Sequence, residues 1–462
     1  MDYSAANTAL WNPIMQLGMI AVALLVAYGL SRMVPAIRKT MIPAAVIAGF
    51  LLLILKLVGL VHVDLTFMEI LTYHGIAIGF IALTLRVPEG NTEKGNLTGL
   101  KSGAIIVSTY MVQGAIGLII TLLLAATLMP GLFEASGLLL PMGFGQGPGQ
   151  ANNIGSTYEA LGFAGGRSFG VSIAAAGYLC ACIVGVTYVN ILARKGKVQA
   201  QDPAFVSGNL NVRDFEHEGE VPISESIDRL SIQVVLVLVV YLVTFLATWG
   251  LTSALAAAAP GLAGTLNPLL WGFNFIIGAG FAILMRTILK GLRKKRVMTQ
   301  QYQNNYLLSR ISGFAFDIMI VSALCSIEPA DLSGLWLPFA LLVVAGAVFT
   351  LIHLRFVCKK VYPGYYYEGL VSMYGMMTGT ISSGVLLLRE IDPHMKTPAA
   401  NNLVLGSTFG IVLGAPIMIL VGLAPKSTLL AIVTLGICVV YYLAMLAIIF
   451  IKRKGAKQDA GA

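Results

Sequence analysis

The chain has 462 residues, 57% of them hydrophobic and 11% charged, with a net charge of +9 and a mean hydropathy of +0.84. A soluble domain carries roughly 25% charged residues, so this composition leaves no room for a sizeable soluble domain and implies a polytopic membrane protein. The basic balance does not imply nucleic acid, because Lys and Arg cluster at the ends of apolar runs, where they report orientation in a bilayer.

A helix needs about 20 apolar residues to cross the hydrocarbon. Runs of that kind predict spans at 11–33, 42–60, 68–86, 103–129, 166–194, 230–251, 264–286, 311–328, 335–357, 401–423 and 427–451. No Lys or Arg precedes the first run, so it lacks the basic region of a cleavable signal and reads as a transmembrane helix. The five cysteines, Cys180, Cys182, Cys325, Cys358 and Cys438, lie in or beside apolar runs and are expected as reduced, packed thiols.

Basic residues occupy alternate connections: Arg32, Arg38 and Lys39; Arg86, Lys94 and Lys101; Arg194, Lys195 and Lys197; Arg286 through Arg296; Arg355, Lys359 and Lys360; and Lys452 through Lys454. By the positive-inside rule the N-terminus lies outside and the C-terminus in the cytoplasm. That alternation holds only if the segments at about 131–165 and 364–396 enter and return on the same side, which predicts two re-entrant hairpins. Five spans with a hairpin before the fifth, starting outside, are then matched by five more starting inside, an inverted-topology repeat. Placing Gly145 over Gly375 also brings Gly149 over Gly379 and Glu159 over Arg389. The expected fold is all-α and polytopic. Residues 1–199 form the first repeat, an acid-rich cytoplasmic linker spans 200–229, the inverted second repeat covers 230–425, and an extra C-terminal helix with a basic tail occupies 426–462.

The first hairpin carries "GFGQGPGQANNIGSTYE", whose Gly143, Gly145, Gly147, Pro148 and Gly149 prevent a continuous helix. Interrupted backbone at membrane depth is tolerated where it is buried in protein or lines a cavity. There a half-helix N-terminus favours a carboxylate and free carbonyls suit a desolvated cation such as Na⁺. Gln146, Gly147, Gly149, Gln150, Asn152 and Asn153 are therefore candidate substrate ligands, and Gly145, Ser156 and Thr157 candidate Na⁺ ligands. The competing reading gives the glycines to close helix packing. The second hairpin, "YGMMTGTISSGVLLLRE", repeats the pattern with hydroxyls in place of amides and adds Thr378, Gly379, Thr380, Ser382 and Ser383.

Charge inside a span is costly and usually functional. Asp317, in "SGFAFDIMIVSALCSI", is the clearest case: it could ligate a cation or carry a proton, or it could simply pair with Arg310, seven residues earlier on the same face. Arg389 could meet a substrate carboxylate, against a rim arginine paired with Glu390 or Asp392. Glu69 and His74 read as a solvated rim, and Asn274 as an interhelical hydrogen bonder. No phosphate loop, His-Glu-x-x-His or Gly-x-Gly-x-x-Gly fingerprint is present, so neither an enzyme nor an ATP-driven pump is expected.

The stretch "GFGQGPGQANNIGSTYEALGFAGGRSFGVSIAAAGYLCACIVGVTYVNILARKG" resembles the first re-entrant loop and following helix of the bacterial sodium/glutamate symporter family. The features that carry the likeness are the glycine-rich loop Gly145 to Gly149, Glu159 with Leu161 and Gly162, and a small-residue helix through Ala174, Gly177 and Gly185 ending at Arg194 to Gly196. The span Ile311 to Ile327 is similar as well. The loop differs in carrying Gln146, Pro148 and Gln150 where a Gly-Gly-His-Gly-Thr-like run would stand. The resemblance implies a homodimeric, sodium-coupled anion transporter of the bacterial inner membrane. It further implies substrate between the hairpin tips, an elevator-type movement, and glutamate as the leading substrate.

The sequence thus reads as a secondary active transporter of a small carboxylate, with Na⁺ as coupling ion, no other cofactor, and the lipid bilayer, the anionic substrate, Na⁺ and a second copy as partners. The alternatives are an ion channel with glycine-rich selectivity loops and a proton-coupled organic-anion transporter.

Overall fold

The fold is described from a computed structural model, for residues 2–34, 42–87, 92–198, 226–272, 274–298, 300–392 and 397–451. Most of the expected linker at 200–229, the basic tail from 452, and Arg38 and Lys39 lie outside the described residues.

In chain order the helices are α1 (Thr8–Met33), α2 (Ala44–Leu57), α3 (Leu65–Leu85), α4 (Thr92–Ala126), α5 (Pro148–Ala160), α6 (Gly166–Arg194), α7 (Ser226–Ala258) and α8 (Pro260–Gly272). They continue as α9 (Asn274–Lys294), α10 (Asn305–Cys325), α11 (Trp336–Val361), α12 (Tyr366–Thr378), α13 (Ile381–Arg389), α14 (Ala399–Gly414), α15 (Ile417–Leu423) and α16 (Thr428–Phe450). No strand occurs among the described residues, and nine of these helices are long and apolar enough to cross a membrane. The fold is all-α and polytopic.

Local chemistry sets several starts. Asn7, Asp64, Asn304 and Ser427 each accept a hydrogen bond from a backbone N–H in the first turn of the helix they precede. The Phe67 N–H, with the Asn12 amide, holds the Asp64 carboxyl below the usual carboxylate range. At the other end of α3, Arg286 donates to the carbonyls of Thr84 and Arg86, and Gln303 to that of Leu85.

Two expected spans are corrected, at 42–60 and at 401–423. The one at 42–60 is only the 14-residue α2, which Pro43 precedes and Gly59, at φ +76°, follows. The one at 264–286 falls on α8 and α9, with Phe273 between them outside the described residues. The one at 401–423 is bent by 43° between α14 and the segment Ile419–Lys426, at Pro416, which has no N–H to continue the ladder.

At the centre α3 packs on α10, with Gly75 against Met319 and Gly79 against Phe316. The flanking contacts are reciprocal: α2 lies on α10 through Gly49 and Leu324, while α9 lies on α3 through Gly278 and Ile81. Small residues let backbones approach where lipid offers no hydrophobic drive for association.

Between α4 and α6 the chain makes a 3₁₀ turn (Glu134–Leu138), a π turn (Pro141–Gly145) and then α5. Phe133 at the start of this excursion stacks on Phe163 at its end, with ring centroids 5.1 Å apart, so its two ends lie side by side. Helices α12 and α13 form a second hairpin, closely packed through Gly375 and Gly384.

The first hairpin docks on α4 backbone to backbone: a Cβ on Gly117 would lie 2.0 Å from the Gly137 carbonyl oxygen. Gly117→Val or Gly137→Val is therefore expected to cost about 3 kcal/mol or more. Either variant should lose the monodisperse peak in detergent size-exclusion chromatography. Gly436→Val, at a position with nothing within 4 Å, should elute and melt like the parent.

Candidate functional site

Both hairpins are interrupted, and the two interruptions meet. In the first, the π turn ends at Gly145, Gly147 adopts φ +90° and ψ −177°, and Pro148 opens α5. The earliest amide to close onto this helix is Ala151, on the Gly147 carbonyl at 3.1 Å. The N–H groups of Gly149 and Gln150 are thus left outside its ladder. In the second, α12 stops at Thr378 and α13 starts after Gly379 and Thr380, the Gly384 amide closing onto the Thr380 carbonyl at 3.0 Å. A Cβ on Gly147 would sit 3.5 Å from Thr380 Cγ2 and 3.7 Å from the Gly379 carbonyl oxygen. Two helix N-termini, each with partial positive charge, therefore converge.

A cavity of about 120 Å³ opens at this junction. Gly145, Gln146, Gly379 and Thr380 contribute the hairpin tips, Asp317 and Met319 come from α10, and Ser407 and Gly410 from α14. Much of the remaining wall is apolar, with Phe80, Phe275 and Phe316 prominent. Asp317 is half-buried and accepts a hydrogen bond from the Tyr28 hydroxyl at 3.0 Å. The alternative pairing with Arg310 is not what the structure contains: that guanidinium lies 5.0 Å from the centroid of the Tyr306 ring.

The other candidate residues separate into two groups. Gln150 and Asn152 are each 1% exposed, and neither amide has a hydrogen-bond partner. The Ser383 hydroxyl is likewise buried and partnerless. The rest are tied internally. Asn153 donates to the Gly272 carbonyl at 3.2 Å, Thr157 to the Asn153 carbonyl, and Thr378 to the Tyr374 carbonyl. Ser156 donates to Glu69, whose other oxygen lies 3.6 Å from Arg167. This bond uses the Ser156 hydroxyl proton, and the Glu69 side chain is 41% exposed, in keeping with a rim position. Gly149 packs on Met319 and Ile76. Arg389 is exposed at the far end of α13 and does not line the cavity. A carboxylate at the hairpin tips would be about 12 Å away at 1.5 Å per residue. The side chain of Ser382 lies outside the described residues.

Gln113 of α4 was not singled out from the sequence. It is 1% exposed and donates to both the Met377 carbonyl, at the end of α12, and the Thr350 hydroxyl, each at 2.9 Å. A Cβ on Gly145 would approach its Oε1 to 3.0 Å, so Gln113 supports both tips at once. The signal was available as an amide in the apolar run "IIVSTYMVQGAIGLII".

Compared with protein-family models the chain matches none, and the comparison with curated proteins gives no match.

The ψ and positive φ of Gly147 fall in a region essentially reserved for glycine, where a side chain costs about 1–3 kcal/mol. Gly147→Ala should lower the detergent melting temperature accordingly and reduce ligand-dependent stabilisation. Gln113→Leu leaves the Met377 carbonyl and the Thr350 hydroxyl without their donor, a cost of about 1–3 kcal/mol, readable by the same melt.

Proposed function

We propose that the chain is a secondary active transporter of a small carboxylate, driven by a Na⁺ gradient and working by alternating access. The observation that carries this reading is the meeting of two interrupted hairpins, whose tips (Gly145 and Gln146, Gly379 and Thr380) and the start of α13 line a cavity that also holds a carboxylate. Helix N-termini favour anions. A carboxylate among apolar walls favours a cation. One cavity thus suits an anion and a coupling cation together, the pairing that discontinuous helices supply in secondary transporters.

In this reading the hairpins are re-entrant and the two halves are inverted repeats. The reciprocal packing of α2 on α10 and of α9 on α3 supports the second point. The N-terminus is outside and the C-terminus cytoplasmic in a bacterial inner membrane. The homodimer and the elevator-type movement follow from the family resemblance and belong to the same proposal, as does the place of glutamate in the substrate panel.

The test is uptake by purified protein in liposomes, with Na⁺ and H⁺ gradients imposed separately across a panel of amino acids and carboxylates. Saturable uptake that disappears without the Na⁺ gradient is expected. Asp317→Asn should lower Na⁺-driven uptake by about tenfold or more, equivalent to ~1.4 kcal/mol, with an unchanged elution profile. Unsaturable conductance would replace the transporter by a channel, and uptake on a proton gradient alone would reassign the coupling ion.

A further inference from the structure

The cavity is asymmetric in its charges. Among the described residues that line it there is no Lys, Arg or His, and Asp317 is the one ionisable acid. The nearby cations are engaged or distant: Arg167 with Glu69, Arg310 over Tyr306, and Arg389 exposed at the far end of α13. The two tips are close, with a Cβ on Gly147 3.5 Å from Thr380, and the start of α13 (Thr380, Ile381) lines the cavity beside Gly145 and Gln146 of the first tip, which offers a place for a single anionic group. Around that point stand Phe80, Phe275 and Phe316, with Ile76, Ile320 and Ile411.

Resting on the transporter reading above, we infer that the substrate is a monocarboxylate with an apolar body, and not a dicarboxylate such as glutamate. One carboxylate takes the N–H groups at the hairpin tips. The body takes the aromatic and branched aliphatic wall, where removal of apolar surface from water supplies the affinity. A second carboxylate would be buried beside Asp317 and hydrocarbon without a cationic side chain, and an unpaired buried charge is strongly disfavoured. Asp317 meets either the ammonium of an apolar amino acid or a cation carried with a simple apolar carboxylate.

Two kinds of apolar carboxylate share this chemistry, and the experiment separates them. Proteoliposomes of the full chain are assayed under an inward Na⁺ gradient for uptake of leucine, phenylalanine, 4-methylpentanoate, glutamate and malate. Thermal shift of the detergent-solubilised protein is recorded with the same compounds. At least one apolar probe should half-saturate at a concentration about tenfold or more below that of glutamate or malate. Asp317→Asn should abolish leucine and phenylalanine uptake selectively if the ammonium is its partner. It should reduce uptake of all substrates alike, 4-methylpentanoate included, if a carried cation is. Equal or better handling of glutamate or malate overturns the inference and leaves the transporter standing. Failure of every probe in both assays overturns the inference and the transporter reading together.

Discussion

A backbone that leaves its helix inside an apolar surrounding must find other partners for its N–H and C=O groups, because lipid offers none. This chain does so at two places, Gly145–Pro148 and Gly379–Thr380, and much of the packing serves to bury them. Gly117 and Gly137 bring the first hairpin against α4, Gly143 brings it against Ala174 of α6, and Gly177 lets the Thr378 carbonyl end of α12 settle on α6. Each is a contact in which a Cβ would meet backbone at under 3 Å. Gln113 then supplies a donor to the Met377 carbonyl. The small residues and the one amide are consequences of the same requirement.

Once the interruption is enclosed, the polar side chains near it sort themselves by whether the fold already uses them. Asn153, Ser156, Thr157 and Thr378 are spent on internal bonds. Gln150, Asn152 and Ser383 are not, though all are buried. Buried amides without partners are unfavourable in a finished core, and here they sit on the two helices whose N-termini meet. The end of the bundle near Glu69 shows the opposite treatment: Lys56 pairs with Glu328 at 2.9 Å, Ser168 donates to Asp331, and Arg167 with Ser156 engages Glu69. The unpartnered amides Gln150 and Asn152 thus lie near the interruption, away from these ion pairs.

The all-α, polytopic character was legible because hydropathy and the length of apolar runs are local properties of the sequence. The 14-residue α2 was overestimated because Val58 and Leu60 extend the apolar run past Gly59, whose φ of +76° ends the helix. Which hydroxyls were free was not legible. Ser156 and Ser383 look alike in sequence, and only the arrival of Glu69 from 87 residues away distinguishes them. The same holds for Asp317, whose partner Tyr28 is 289 residues distant while the in-register Arg310 points elsewhere. Gln113 and the three phenylalanines were read as span residues because a helix face shows its role only when its neighbours are known.

The Tyr28 contact gives the outermost helix a share in the cavity. Helix α1 packs mainly on α2 and only slightly on α10, and Tyr28 is 48% exposed. Yet its hydroxyl donates to the carboxylate that faces the hairpin tips. This lightly packed helix therefore supplies a donor to the one carboxyl group in the described cavity wall. Tyr28 uses one oxygen of Asp317, and the Asp317 side chain also lines the cavity, so a single carboxyl group joins the outermost helix to the cavity wall.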